Sequence, residues 1–180
     1  MPETAKTKVR SARFPEDLPD LQRLCWAYRD HLIAENTHNP ELVETYYAAD
    51  AYADLIARIP EIHARPKGDV LLGCVNEVVV GCAMYYPLPR PGYCEIKRIY
   101  LDQSARGLGM GRTLVEQAMR AAARDGHVRM VLDTMVALQP AIDLYLRLGF
   151  TPTEPFYQVP ARFRDEIRFF GIDLPRQVPD

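Results

Sequence analysis

The run Gln103-Ser104-Ala105-Arg106-Gly107-Leu108-Gly109-Met110-Gly111-Arg112-Thr113-Leu114 constrains this chain more than any other stretch. It joins an apolar, strand-like segment, Glu95 to Leu101, to a helical pattern from Met110 to Arg124. Glycines at 107, 109 and 111 remove Cβ from alternate positions, so backbone N–H groups can approach a ligand closely. A helix starting there leaves its first N–H donors unpaired and carries partial positive charge at that end. Together these features make an anion cradle, most naturally for phosphate. Arg106 and Arg112 add full charges on either side. A Gly-rich turn that binds nothing is the competing reading; three glycines alternating between two arginines weigh against it.

Two familiar phosphate loops are near misses. A Walker loop needs Gly, four spacers and Gly-Lys-Ser/Thr, but Arg106 stands at the first Gly and Arg112 replaces the Lys. A dinucleotide fingerprint, Gly-x-Gly-x-x-Gly, ends on Arg112 if begun at Gly107 and on Leu114 if begun at Gly109. The pattern that fits is Arg-x-x-Gly-x-Gly over Arg106, Gly109 and Gly111. Here the chain resembles the pyrophosphate loop of the GNAT N-acetyltransferase superfamily. A second run, Ala141-Ile142-Asp143-Leu144-Tyr145-Leu146-Arg147-Leu148-Gly149-Phe150, carries Ala-x-x-Leu-Tyr and then Gly-Phe opening a strand. It looks like the second cofactor motif of the same superfamily, in the family's order. The resemblance covers Tyr93 to Phe150; the flanking segments fit by pattern alone.

Composition sets the outer bounds. The chain has 180 residues, 48% hydrophobic and 26% charged, as expected of one soluble globular domain spanning 1–180. A net charge of -2 offers no electrostatic footprint for nucleic acid or an anionic membrane. No apolar run approaches a membrane span, and Met1-Pro2-Glu3-Thr4 lacks the pattern of a signal peptide. Cys25, Cys74, Cys82 and Cys94 lie far apart and read as buried thiols of a cytoplasmic protein. No metal is expected, because the four histidines show no ligand spacing with them.

Taken in order, Lys6 to Phe14 predicts a strand, and Asp20 opens a helix with Leu21, Leu24, Cys25, Tyr28 and Leu32 on one stripe. A second helix is expected from Glu41 to Arg58, interrupted or bent near Ala48-Ala49-Asp50. Its Tyr46, Tyr47 and Tyr52 either cover the sheet or line a substrate mouth, and their spacing does not separate the two. Asp69–Val75 and Val78–Tyr86 form a hairpin on Asn76-Glu77. Strands follow at Tyr93–Leu101 and Val128–Thr134, then a helix from Pro140 stopped by Gly149, a strand opening at Phe150, and a last strand from Ile167 to Leu174. Uneven alternation with hairpins at both ends favours a mixed α/β sheet.

The resemblance implies a single GNAT-like α/β domain: a mixed, mostly antiparallel central sheet with two splayed parallel strands and helices on both faces. The splayed pair would be Tyr93–Leu101 and Val128–Thr134, and their unpaired backbone would bond the pantetheine arm of acetyl-CoA, the expected co-substrate. That arm would lie along Ile99, Tyr100 and Leu101. The amides of Arg106, Gly107, Leu108, Gly109, Met110 and Gly111, with the charges of Arg106 and Arg112, would hold the pyrophosphate. Relatives often carry Asn three residues before the Ala of the second motif; here Leu138 stands there, which removes that contact.

Amine acylation needs a base, a stabilised thioester oxygen and an acid for the thiolate. Motif position makes Tyr145 the candidate acid, since a phenol stays protonated near neutrality; packing on the apolar stripe is the alternative. Glu95 is the candidate base, on the strand where some relatives carry a catalytic Glu; an ion pair with Lys97 or Arg98 is the plainer reading. A main-chain N–H on that strand is the family's usual oxyanion donor. The expected partners are acetyl-CoA and an amine acceptor, small molecule or protein; a homodimer is left open, family members often pairing through their sheets. A catalytically silent acyl-CoA-binding module is the function from another class. Tyr86, Arg90 and Arg98 are candidates to attract an acceptor carboxylate.

Overall fold

The computed structural model describes residues 5–175. Seven strands form one sheet: β1 (Thr7–Ser11), β2 (Asp69–Val75), β3 (Val78–Pro87), β4 (Tyr93–Leu101), β5 (Arg129–Met135), β6 (Thr151–Pro152) and β7 (Ile167–Asp173). Their order across the sheet is β1-β2-β3-β4-β5-β7-β6. Every neighbouring pair is antiparallel except β4 and β5. The turn between β2 and β3 falls on Asn76 and Glu77, both at positive φ, which matches the twist of a two-residue hairpin.

Alternation along the strands gives the sheet two apolar faces. Val70, Leu72, Cys82 and Met84 pack beneath α1 (Leu18–Glu35) and α3 (Ala49–Ala57), meeting Leu21, Leu24 and Ile56. Leu71, Ala83, Tyr85 and Ile96 face the other way, onto α5 (Met110–Arg124) and α6 (Gln139–Arg147), through Leu114, Val115, Ala118 and Tyr145. Each fully buried Leu on these faces contributes about 1.5–3 kcal/mol. All four cysteines are free and buried. Among the described residues no helix is long and apolar enough to cross a membrane; Met1–Thr4 lies outside them.

Some boundaries depart from the sequence pattern for local reasons. The helix expected over Glu41–Arg58 is three pieces: α2 (Pro40–Tyr46), α3, and the short α4 (Ile59–Ile62). The first break, at Tyr47–Ala48, falls where an interruption is expected, and the Tyr47 carbonyl accepts a 2.7 Å bond from Arg29 Nε. Pro60 enforces the second, since it has no N–H to continue a helix. β5 begins one residue late because the Val128 N–H is spent on Gly92 O at 2.8 Å. Phe150 is core rather than strand, and Pro152 keeps β6 to two residues.

Two irregularities position the site. β4 and β5 pair only at Tyr93↔Arg129, Cys94↔Met130 and Glu95↔Val131. Both strands run on for several residues beyond, to Leu101 and Met135, so they part as they go. On the other edge of β4, Cys82 pairs with Tyr100 and Met84 with Lys97. Ala83 therefore faces both Arg98 and Ile99 across a bulge, and Arg98 sits at φ 51. A non-glycine residue held there costs about 1–2 kcal/mol.

Candidate active site

The gap between β4 and β5 is a cavity of about 290 Å³. Its walls are Ile96 to Leu101 from β4, Leu132 to Thr134 from β5, and Leu138, Ala141, Leu144 and Tyr145 at the start and along one side of α6. Of the residues expected to meet a cofactor, Ile99, Tyr100, Leu101, Arg106 and Gly111 lie on this wall. Gly107, Leu108, Gly109, Met110 and Arg112 do not line it; they form the loop and first helical turn beside it.

That loop has the shape of a cradle. Gly109 caps α5 at φ 73, and Gly107 sits at φ 81. Nothing lies within 4 Å of where a Cβ would stand at either position. The amides of Gly107, Leu108 and Gly109 donate to no backbone carbonyl among the described residues. The Arg106 amide differs from expectation, being bonded to Gln103 O at 3.2 Å. The Met110 side chain is buried in the core, so only its main chain faces the loop. Arg112 turns along the helix to Glu116, 2.8 Å away, leaving Arg106 as the loop's guanidinium on the cavity wall.

A second cavity, about 530 Å³, opens beside the first. Tyr28, Tyr47, Lys97, Arg98, Asp133 and Thr134 line both. Tyr145 faces only the first and Glu95 only the second. The three tyrosines of the second helical region divide the two roles left open by their spacing. Tyr52 is core and donates to Cys25 O at 3.0 Å, while Tyr46 and Tyr47 line the second cavity.

A run of paired charges crosses the floor. Lys97 Nζ donates to Glu95 Oε1 at 2.7 Å and to Asp133 Oδ1 at 3.3 Å. Tyr86 caps Glu95 with its hydroxyl, and Tyr157 caps Asp133 at 2.9 Å. The ion pair considered for Glu95 is thus present with Lys97; Arg98 takes no part in it. Burial raises the Glu95 carboxyl above its usual range, against the pull of Lys97. Burial would raise Asp133 too, but Lys97 and the Tyr157 bond outweigh it and hold that carboxyl low. Lys97 is held firmly charged by its two carboxylates despite burial.

Tyr145 is 6% exposed, and its ring leans on Phe150 at 6.0 Å. Burial raises its phenol, with Asp133 and Tyr47 adding to the effect, so the proton stays on. Burial pushes Cys94 up to about 12 and Cys82 well above its usual value, and neither thiol lines a cavity. Neither is placed or ionised to carry an acyl group. Arg90 stacks on the Tyr93 ring at 4.1 Å, away from both cavities.

Asp133, Tyr157 and His63 did not stand out in the sequence. Asp133 left one trace, as the only acid in an apolar strand run. Tyr157 and His63 left none, because they come from a proline-rich segment and a short helix end that reach the cavity only through tertiary packing.

Comparison with known proteins bears on these cavities. The Acetyltransferase (GNAT) family matches residues 19–150. An uncharacterized N-acetyltransferase of Schizosaccharomyces pombe is 30% identical over 161 residues, 89% of this chain and 92% of that protein. A GNAT-family acetyltransferase from Staphylococcus aureus superposes with a TM-score of 0.72 at 17% identity, over 94% of this chain and all of that one. The Salmonella typhimurium protein yncA, solved with its cofactor acetyl-CoA, superposes with a TM-score of 0.65 at 23% identity, over 97% and 98% of the two chains.

Proposed function

The chain belongs to the acetyltransferase (GNAT) family, and from that premise we propose that it transfers an acetyl group from acetyl-CoA to a primary amine by direct attack, with Tyr145 as general acid and Glu95 as general base. The supporting observation is the division of the two side chains: Tyr145 faces the gap between the parted strands, Glu95 faces the adjoining cavity, and the two cavities share walls.

The gap suits acetyl-CoA. Parted strands leave backbone groups of Ile99 and Leu101 for a pantetheine arm, as a dry gap could not. The free amides of Gly107 to Gly109, the start of α5 and the Arg106 guanidinium suit a diphosphate. Bound there, acetyl-CoA supplies an acetyl group activated as a thioester.

The protein's own groups supply the rest. Glu95, its carboxyl raised by burial, is a better proton acceptor than an exposed Glu and takes the proton of the attacking amine. Main-chain N–H groups at the Arg98–Ile99 bulge, outside the one-to-one ladder, are the oxyanion donors. Tyr145 donates its phenolic proton to the sulfur as the C–N bond forms and the C–S bond breaks.

The direct test incubates the protein with acetyl-CoA and a panel of primary amines and follows thiol release. Amine-dependent release is the expected result. A melting temperature raised by CoA with no release for any amine would instead identify a silent acyl-CoA-binding module.

A further inference from the structure

Arg98 lines both cavities and has no side-chain role in the chemistry above. The residue is 7% exposed, and its Nε is buried without a hydrogen-bond partner. No carboxylate pairs with it among the described residues, whereas neighbouring Lys97 is held by two. The Tyr52 ring, 5.7 Å from its Cζ, covers one side. A guanidinium cannot shed its charge and offers five donors in a fixed fork. Burying one with so few partners is unfavourable unless something else completes it.

The backbone supplies an independent observation. Regular alternation would turn Arg98 away from the face used by Lys97. The bulge, with φ 51 at Arg98, puts both on the wall of the same cavity. Bulges re-aim side chains, and strained non-glycine positions gather at ligand sites. His63, the other basic side chain on that wall, is pushed down to about 4 by burial and stays neutral, so it is no rival for an anion.

We infer that Arg98 anchors a carboxylate of the acceptor, which makes the acceptor a small zwitterion: a free amino acid with its amine at Glu95 and its carboxylate on Arg98. Three residues of extended chain span at most about 11 Å. Two long side chains opening into one cavity across that distance can both touch a molecule whose charges are one or two carbons apart. Tyr46, Tyr47, Tyr86, Phe156 and Tyr157 line the remainder, so the amino-acid side chain is apolar or aromatic. A lysine within a protein carries no carboxylate beside its amine and would leave Arg98 bare. This inference rests on the acetyl-transfer reading.

The experiment compares L-phenylalanine and L-leucine with their amides and with the decarboxylated amines, in the full-length protein with acetyl-CoA. The amide's amine is the less basic, so the comparison is biased against the inference. The acids should exceed the amides in kcat/KM by on the order of 10- to 100-fold. In Arg98→Gln the ratio should fall toward one through the acceptor's KM, and Arg98→Lys, which keeps the charge and loses the fork, should fall between. Equal use of acid and amide by the wild-type protein overturns the inference without any variant. So does an Arg98→Gln effect confined to the KM of acetyl-CoA. Preference for decarboxylated amines or lysine peptides sinks it while leaving acetyl transfer standing; no turnover of any amine sinks both.

Discussion

Where the first cavity opens along two parted strands beside a glycine loop, the second is walled by side chains gathered from all four of α1–α4, from β3, β4 and β5, and from β7 and the segment before it. The first depends on two parted strands and a loop in which glycines at 107 and 109 leave their amides free. The second depends on a guanidinium, two carboxylates, an ammonium and a ring of tyrosines. A shared carrier can be held by a shared backbone; an individual acceptor must be recognised by side chains. The division predicts which changes alter turnover, which alter carrier affinity, and which alter neither.

The largest effects should come from the one ionisable group assigned to chemistry in each cavity. Glu95→Gln should lower kcat/KM by on the order of a thousandfold and remove the acid limb of the pH–rate profile. The sign follows from the ionised carboxylate being the active form: activity falls as pH drops through a pKa raised above the usual range. An unchanged profile would rule out the base. Lys97 keeps Asp133 as a partner in this variant, so folding should survive. Tyr145→Phe should lower kcat by about a hundredfold with little change in either KM; an intact kcat would return Tyr145 to a packing role.

Smaller effects should separate the halves. Arg106→Ala should raise the KM for acetyl-CoA by about tenfold, leave the acceptor's KM alone, and lose importance in high salt. A change in acceptor KM instead would mean that the two cavities do not act separately. A scaffold control should touch neither half. Asp17 accepts two bonds from Arg10, at 2.6 and 2.8 Å, and one from the Arg13 amide at 2.6 Å. The Arg10 guanidinium above all holds its carboxyl down near 2. A depressed carboxyl stabilises the fold above its ordinary pKa and stops doing so as pH falls through the folded value. Asp17→Asn should therefore cost about 2 kcal/mol at neutral pH, or roughly 4–8 °C of melting temperature, with both KM values unchanged. The gap to wild type should close between about pH 4 and pH 2.

The same division decided what could be read in advance. Gly107, Gly109 and Arg106 are a local string, and the constraint they answer is local: amides must turn outward at a helix start. Likewise, β4 and α5 fall on the residues their periodicity gives, because one element's burial pattern is written within that element. The acceptor cavity has no such string. Glu95 was reachable through its place on β4, but Asp133, Tyr157 and His63 lie on three separate segments that meet only in the folded chain. The bulge at Arg98 was invisible for a related reason. An arginine at φ 51 answers to the register between β3 and β4, not to its own propensity.

Among the described residues only three backbone register pairs join β4 to β5 across the middle of the sheet, with the Lys97–Asp133 ion pair beyond them. A ligand bound in this gap would add its binding free energy to that of folding. Acyl donor and spent carrier thus act as mortar as well as reagents. A melting temperature and a resistance to protease that rise with added coenzyme are the expected signs of that coupling.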